Sequence, residues 1–205
     1  MPDSASHITC RPATVGDSLA IARLTCIAGK GLYEFLFDDI VPLLGAVDFL
    51  AAGIAGDDAR ISYGNCCVAV SGETIIGCAN VFPADALKDD HYTLVPSDRI
   101  DHIRNMLQLQ DWGSMFLNTL AVDAAHRGLG VGGRLLDWAW MHAREHGFDR
   151  LSLHVWADNE SALQFYERRG FARLGLAAVP THPRLPHAGG SFLMQKVAAG
   201  GASPA

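Results

Sequence analysis

Apolar and polar positions alternate along the chain with two different periods, and the order in which those periods occur predicts a mixed α/β fold. Residues 7–13 (HITCRPA) read as a strand; Thr14 to Asp17 then supply helix-start residues ahead of an apolar repeat over 19–27, which Gly29 and Gly31 end. Two short helical pieces follow at 33–41 and 47–54, separated by Pro42 and Gly45. The β-rich runs 65–70 and 74–82 meet at Ser71-Gly72-Glu73, a hairpin signal. Residues 115–123 are apolar on both parities, the mark of a central strand covered on both faces. A helix over 130–146 comes next, with Gly132, Leu136, Ala139, Trp140 and Ala143 on one face, and Gly147 stops it. Strand 151–156, helix 159–169 and strand 171–179 lead to a loop punctuated by Pro180, Pro183 and Pro186, and then to a last strand at 191–197. Strand–helix alternation after residue 115 predicts parallel pairing, and the earlier hairpin predicts antiparallel pairing. The expected fold class is therefore α/β of mixed α+β character: a central mixed sheet of about seven strands flanked by helices on both faces.

Residues 84–114 fit none of these core elements. They carry six Asp against three Lys or Arg, a balance of 3 − 6 = −3, half of the formal net charge of −6. Pro96-Ser97-Asp98 could start a helix whose apolar residues are Ile100, Ile103, Met106, Leu107 and Leu109. Two readings stand for the segment: a solvated insertion, or a lid over a binding site, since long loops in compact domains are often functional. The domain expectation is one unit over 1–197, with the insertion inside it and a disordered tail at 198–205 (AAGGASPA).

Composition narrows the classes. At 205 residues with 49% hydrophobic and 19% charged residues, the chain matches a soluble globular domain. It has no apolar run of about 18 residues, and its N-terminus lacks a basic region followed by an apolar stretch; no membrane partner and a cytoplasmic location are expected. The acidic balance argues against nucleic-acid binding, which needs a basic stripe. Five cysteines without C-x-x-C spacing argue against a metal site and read as buried free thiols.

The chemistry concentrates in HRGLGVGGRLLDWA, where four glycines open an amphipathic helix. Glycines let the backbone approach a ligand closely, and the orphan amides and dipole of the following helix add an anion site. Three phosphate-binding designs could own such a turn. A P-loop needs Lys-Ser/Thr after its last glycine, whereas Gly133 is followed by Arg134 and Leu135. A dinucleotide fingerprint is met in letters by Gly128, Gly130 and Gly133, but five residues separate the strand from Gly128. The third design, Arg-x-x-Gly-x-Gly after a strand, is matched by Arg127, Gly130 and Gly132.

With that motif the chain resembles the GNAT superfamily of N-acetyltransferases. A second match lies in NESALQFYERRGF, where Asn159, Ala162, Tyr166, Gly170 and Phe171 fall at the superfamily's second cofactor-contacting helix. The resemblance spans 115–172 most closely and extends over 7–83. It implies a GNAT-like sheet and acetyl-CoA as cosubstrate, with no metal. It further implies that Leu120, Ala121 and Val122 lie beside the pantetheine arm, and that Arg127, Gly128, Leu129, Gly130, Val131, Gly132, Gly133 and Arg134 surround the pyrophosphate. Asn159, Ala162 and Tyr166 complete the cofactor contacts that it implies. The Val122 amide could also stabilise the oxyanion, while Leu120 and Val122 can pack as core residues at the same time.

Two catalytic roles follow from the implied reaction. Tyr166 is positioned by the motif as the proton donor to the leaving thiolate, and an unperturbed phenol stays protonated at neutral pH. His154, on the strand before Asn159 and opposite in parity to Leu151, Leu153 and Val155, is the candidate base; some members carry a Glu at that place. Glu34, Glu73 and a backbone-held water are alternatives to His154, and His154, Asn159 and Tyr166 also have plain structural readings, Asn159 as a helix cap and Tyr166 as a buried aromatic with a satisfied hydroxyl. The expected function is acetyl transfer from acetyl-CoA to a primary amine, on a small molecule or a peptide, by direct attack in a ternary complex. The alternative is a non-catalytic acyl-CoA-binding sensor or interaction module. A homodimer is common among members of the superfamily.

Overall fold

The computed structural model describes residues 8–57, 60–88 and 93–198. The first position of the expected first strand, residues 199–205 of the expected tail and residues 89–92 of the insertion lie outside the described residues, while Ala198, the tail's first residue, donates its N–H to Asp149 O at 2.8 Å. In chain order the elements are β1 (Ile8–Pro12), α1 (Ser18–Gly29), α2 (Leu32–Phe37), α3 (Ala46–Ala55), β2 (Cys66–Ser71), β3 (Thr74–Pro83), α4 (Ser97–His102), α5 (Arg104–Gln108), β4 (Met115–Val122), α6 (Val131–Glu145), β5 (Arg150–Trp156), α7 (Glu160–Glu167), β6 (Ala172–Ala177) and β7 (Ser191–Val197). The strands form one mixed sheet of order β1-β2-β3-β4-β5-β7-β6, the α/β architecture that the hydrophobic pattern predicts.

Pairing differs from expectation in one respect. β4 and β5 are parallel, but β6 does not pair with β5; β7 lies between them, antiparallel to both. Side-chain character explains the order. β7 is buried over most of its length, whereas β6 exposes Arg173, Leu174 and Leu176 and breaks register between Arg173 and Gly175. An irregular strand with a cation suits a sheet edge, and an apolar strand suits the interior.

Two compact units are distinguished, one running to Phe82 and adding Asn118–Met141, the other combining Pro83–Leu117 with the chain from His142 onward. In the first, Ile21, Leu24, Leu50, Ile54, Val68, Cys78 and Ala121 form a hydrophobic core. Cys26, Cys66, Cys67 and Cys78 are buried free thiols as expected, but Cys10 is exposed on β1. Ahead of α1, Asp17 accepts the Thr14 N–H at 2.7 Å and pairs with Arg11 at 2.7 Å. The Arg11 guanidinium holds its carboxyl at about 2.

The buried stripe of α6 is turned from the expected one: Val131, Leu135, Leu136, Ala139 and Ala143 are buried, while Gly132 and Trp140 are only half-buried. Gly77 of β3 accounts for the turn. A Cβ there would lie 3.1 Å from Leu135 Cδ1 and 3.4 Å from Val131 Cγ1, so the helix rests those two side chains on a bare patch of backbone.

In the second unit the helix expected within the insertion is two short helices rather than one. The break falls at Ile103, which is buried, while its neighbours turn outward to the β6–β7 connection. His102 Nε2 meets Pro180 O at 3.0 Å, and Asn105 Nδ2 donates to Ala178 O at 3.1 Å. Asp111, at the end of this acidic segment, is buried and bound by Arg150 at 2.7 Å and Gln195 at 2.7 Å. Among the described residues no helix is long and apolar enough to cross a membrane.

Candidate active site

The glycine turn begins where Asp123 caps a short 3-10 turn by accepting the Ala125 N–H at 2.9 Å. Arg127 is extended, and its Nε donates to Val122 O at 3.2 Å, which ties the turn back to β4. Gly128 and Gly130 have φ of 80° and 79°, a left-handed conformation that disfavours any side chain. Gly132 and Gly133 already belong to α6. The first hydrogen bond of that helix runs from Arg134 N–H to Gly130 O at 3.2 Å. The N–H groups of Gly130, Val131, Gly132 and Gly133 precede it, so they stand at the positive end of the helix without intrahelical acceptors. The Arg134 guanidinium donates to Ile8 O at 2.8 Å, which makes it an anchor to β1 as well as a cation at the turn.

β4 is covered on both faces only over its first three residues. From Asn118 onward, Asn118, Leu120 and Val122 are half-buried while Thr119 and Ala121 are buried, so one face opens. The edge opens too: among the described residues the ladder to β5 comprises Met115 opposite Leu151 and Phe116 opposite Ser152. On the β3 side Asp123 N–H donates to Ile76 O at 2.8 Å, and the Ala121 carbonyl faces Gly77. Backbone groups of successive strand residues point to opposite sides, so the Leu120 and Val122 amides point away from β3 toward the open edge. Leu120, Ala121, Val122 and the glycine turn thus lie together in the first unit.

The same unit holds a cluster that sequence reasoning left mostly unread. Tyr33 of α2 makes hydrogen bonds to Asn118 and Thr119 of β4, and burial pushes its phenol up to about 12. Thr119 in turn donates to Thr25 at 3.5 Å. Tyr33 stacks on Phe37 and Phe37 on Phe49, with ring centroids 6.5 Å and 5.6 Å apart. The Cys26 thiol, pushed up to about 12 by burial and then by Glu34 and Asp38, donates to the Glu34 carboxylate. The second Glu34 oxygen, Oε2, is buried without a hydrogen-bond partner among the described residues. In the sequence, Asn118 and Thr119 interrupt an apolar strand and Glu34 stands among the alternative bases, but nothing links them to Tyr33 or Cys26. Glu73 is exposed in the hairpin.

The second unit holds Asn159, Ala162, Tyr166 and His154. Asn159 occupies the N-cap position of α7, yet its side chain makes no capping bond; its Oδ1 accepts from Ser161 Oγ at 3.1 Å. Ala162 is half-buried one turn on. Tyr166 is buried edge-on against Phe165 and Phe171, at 5.1 Å and 5.4 Å between centroids. Burial drives its phenol well above the ordinary value, and its hydroxyl has no protein partner among the described residues. His154 is engaged at both nitrogens: Nε2 donates to Leu109 O at 2.8 Å, and Nδ1 accepts from Ser191 Oγ at 3.2 Å. Desolvation lowers its pKa to about 4. His187, in the connection before β7, stacks on Trp156 at 4.1 Å and meets Asp158 at 3.0 Å, which fixes the chain where α7 begins.

A seven-stranded mixed sheet with a glycine turn opening α6 is the fold of solved N-acetyltransferases. An acetyltransferase crystal structure superposes with a TM-score of 0.67 at 24% identity, covering 93% of this chain and 100% of that one. An N-acetyltransferase from Staphylococcus aureus Mu50 does so with a TM-score of 0.67 at 20% identity, covering 91% and 99%. The acetyltransferase (GNAT) family model matches residues 41–171, and the chain belongs to that family. N-alpha-acetyltransferase 50 of Danio rerio is 36% identical over 74 residues, 36% of this chain and 40% of that protein. A mycothiol acetyltransferase of Rhodococcus jostii (strain RHA1) is 44% identical over 62 residues, 30% of this chain and 19% of that protein. The chain thus spans less than half the length of these relatives.

Proposed function

We propose that the protein moves an acetyl group from acetyl-CoA to a primary amine, on a small molecule or a peptide, by direct attack in a ternary complex. The observation that carries this reading is the open edge of β4, where the Leu120 and Val122 amides face outward ahead of the amides of Gly130 to Gly133, which precede the first intrahelical bond of α6. An extended amide chain ending in a pyrophosphate suits that run of donors. The first amides pair with it as a strand would, and the helix terminus and Arg127 receive its anion. When bound, acetyl-CoA supplies an activated thioester. In this reading the Val122 N–H stabilises the negative charge that grows on its carbonyl oxygen.

Tyr166 gives its proton to the leaving sulfur; its raised pKa keeps the phenol protonated across the neutral range. His154 acts as a positioning residue. A base with a pKa of about 4 is poorly matched to an amine of roughly 9, and its nitrogens are already committed to Leu109 and Ser191. Amine deprotonation is therefore assigned to water.

The test combines CoA binding by calorimetry with a thiol-release assay over small amines, peptides and aminoglycosides. Saturable CoA binding together with amine-dependent thiol release is expected. Tight CoA binding with no release from any acceptor would leave only a CoA-binding module.

A further inference from the structure

Glu34 of α2 carries a carboxylate oxygen that is sealed from solvent and has no hydrogen-bond partner among the described residues. Its surroundings are built rather than incidental. The other side of the carboxylate takes the Cys26 S–H, and the preceding residue, Tyr33, is locked to Asn118 and Thr119 at the start of the open stretch of β4. Gly29 keeps room for that lock, because a Cβ there would lie 2.5 Å from the Tyr33 ring. A buried carboxylate oxygen left without a donor costs free energy, and a bound cation relieves that cost. Lys30 and Asp39, on either side of α2, both have positive φ, at 50° and 64°. Such junctions in non-glycine residues store strain, and a cation reaches Oε2 only if α2 shifts at them.

We propose that Glu34 receives a positively charged group of the acceptor other than the nitrogen that is acetylated, so that the acceptor is a diamine or an amine bearing a second cation. A carboxylate in ion pair with an ammonium favours the charged form. Pairing with the reacting nitrogen would therefore oppose the deprotonation that attack requires, whereas pairing with a second cation holds the substrate without that penalty. The inference rests on the acetyl-transfer reading above and names its acceptor class.

The probes are 1,4-diaminobutane and butylamine, which differ by one ammonium group. Thiol release with acetyl-CoA should favour the diamine by about tenfold or more in kcat/KM, as the loss of a charged hydrogen bond implies. Glu34→Gln should collapse that ratio toward one through KM, and Glu34→Asp, which keeps the charge, should retain part of it. In parallel, the diamine should raise the melting temperature of the CoA-saturated wild type but not that of Glu34→Gln. Glu34→Asp supplies the same comparison should the glutamine variant fail to fold. A diamine-to-monoamine ratio unchanged by Glu34→Gln, or a wild type that the diamine neither stabilises nor feeds, overturns the proposal. So does an equal loss with both amines accompanied by disappearance of the acidic limb of the rate profile, which would make Glu34 the base. A Glu34-dependent thermal shift without any thiol release supports the cation site while removing the acetyl-transfer reading.

Discussion

His154 Nε2 stands 2.8 Å from the carbonyl oxygen of Leu109, a residue 45 positions earlier at the end of the acidic insertion. The bond joins the segment before β4 to the middle of β5, and it engages the imidazole that the sequence offers as a base. Leu109 is held from the other side as well, since its Cδ2 packs where a Cβ on Gly175 would come within 3.3 Å.

Replacing that imidazole should change stability more than pH behaviour of the reaction. His154→Gln is expected to cost about 1–3 kcal/mol, the range for leaving a buried acceptor unsatisfied. The acidic limb of kcat/KM against pH should stay where it is in the wild type. Denaturant melts and a rate profile check both, and a limb that moves or vanishes would restore His154 to the role of base.

The same residue makes the fold sensitive to mild acid. Its pKa falls from 6.5 to about 4 on folding, so below pH 6.5 the unfolded chain takes up a proton that the folded chain refuses. The stability this difference represents, about 3 kcal/mol, is complete above pH 6.5 and is lost as pH falls through 4. Asp17, lowered from 3.8 to about 2 by Arg11, behaves in the same direction at lower pH: its contribution is present above 3.8 and is lost toward 2. Urea melts from pH 8 to pH 3 should show a slope between 6.5 and 4 that His154→Gln removes and Asp17→Asn leaves in place.

Tyr166→Phe should lower kcat by about a hundredfold, the low end for losing a positioned proton donor. Affinity for CoA should change little, because the ring keeps its contacts with Phe165 and Phe171. With its phenol raised above 10, Tyr166 should impose no alkaline limb on the wild-type rate below that pH. Stopped thiol-release assays and calorimetry separate the two effects, and an unaltered kcat would take Tyr166 out of the chemistry.

Two glycines should fail in different ways. A Cβ on Gly130 meets nothing within 4 Å, so Gly130→Ala suffers only from its φ of 79°. The left-handed cost is about 1–2 kcal/mol, and its relief swings the neighbouring amides, weakening CoA binding by about tenfold. A Cβ on Gly77 would lie 2.8 Å from the Ala121 carbonyl oxygen, so Gly77→Ala pushes β3 from β4 and costs about 1–3 kcal/mol, as overpacking does. Melting temperatures paired with CoA titrations should therefore show Gly130→Ala losing mainly affinity and Gly77→Ala losing mainly stability.

What could be read from the letters was local. The strands at 66–71 and 191–197, the hairpin at Gly72 and the glycine turn before α6 all depend on near neighbours, and their periodicity or turn chemistry showed them. Long-range partners were not legible. Nothing near His154 announces Leu109 or Ser191, and nothing near Leu135 announces the bare backbone of Gly77 that draws it inward in place of Trp140. The lone Glu34 oxygen likewise depends on Cys26 and on the exclusion of water, neither of which a linear pattern encodes. The acidic count of the insertion misled in one particular, because Asp111 is not a surface charge but the buried partner of Arg150 and Gln195.

The interior place of β7 has a consequence for synthesis. Residues 191–197 are made after both β5 and β6, yet among the described residues those two strands pair with β7 and not with each other. At about 5–20 residues per second, the chain spends seconds with β6 made and its exposed Leu174 and Leu176 flanking a strand that has not found its neighbour. Nascent chains stalled before Ser191 should be the ones that chaperones hold and proteases cut.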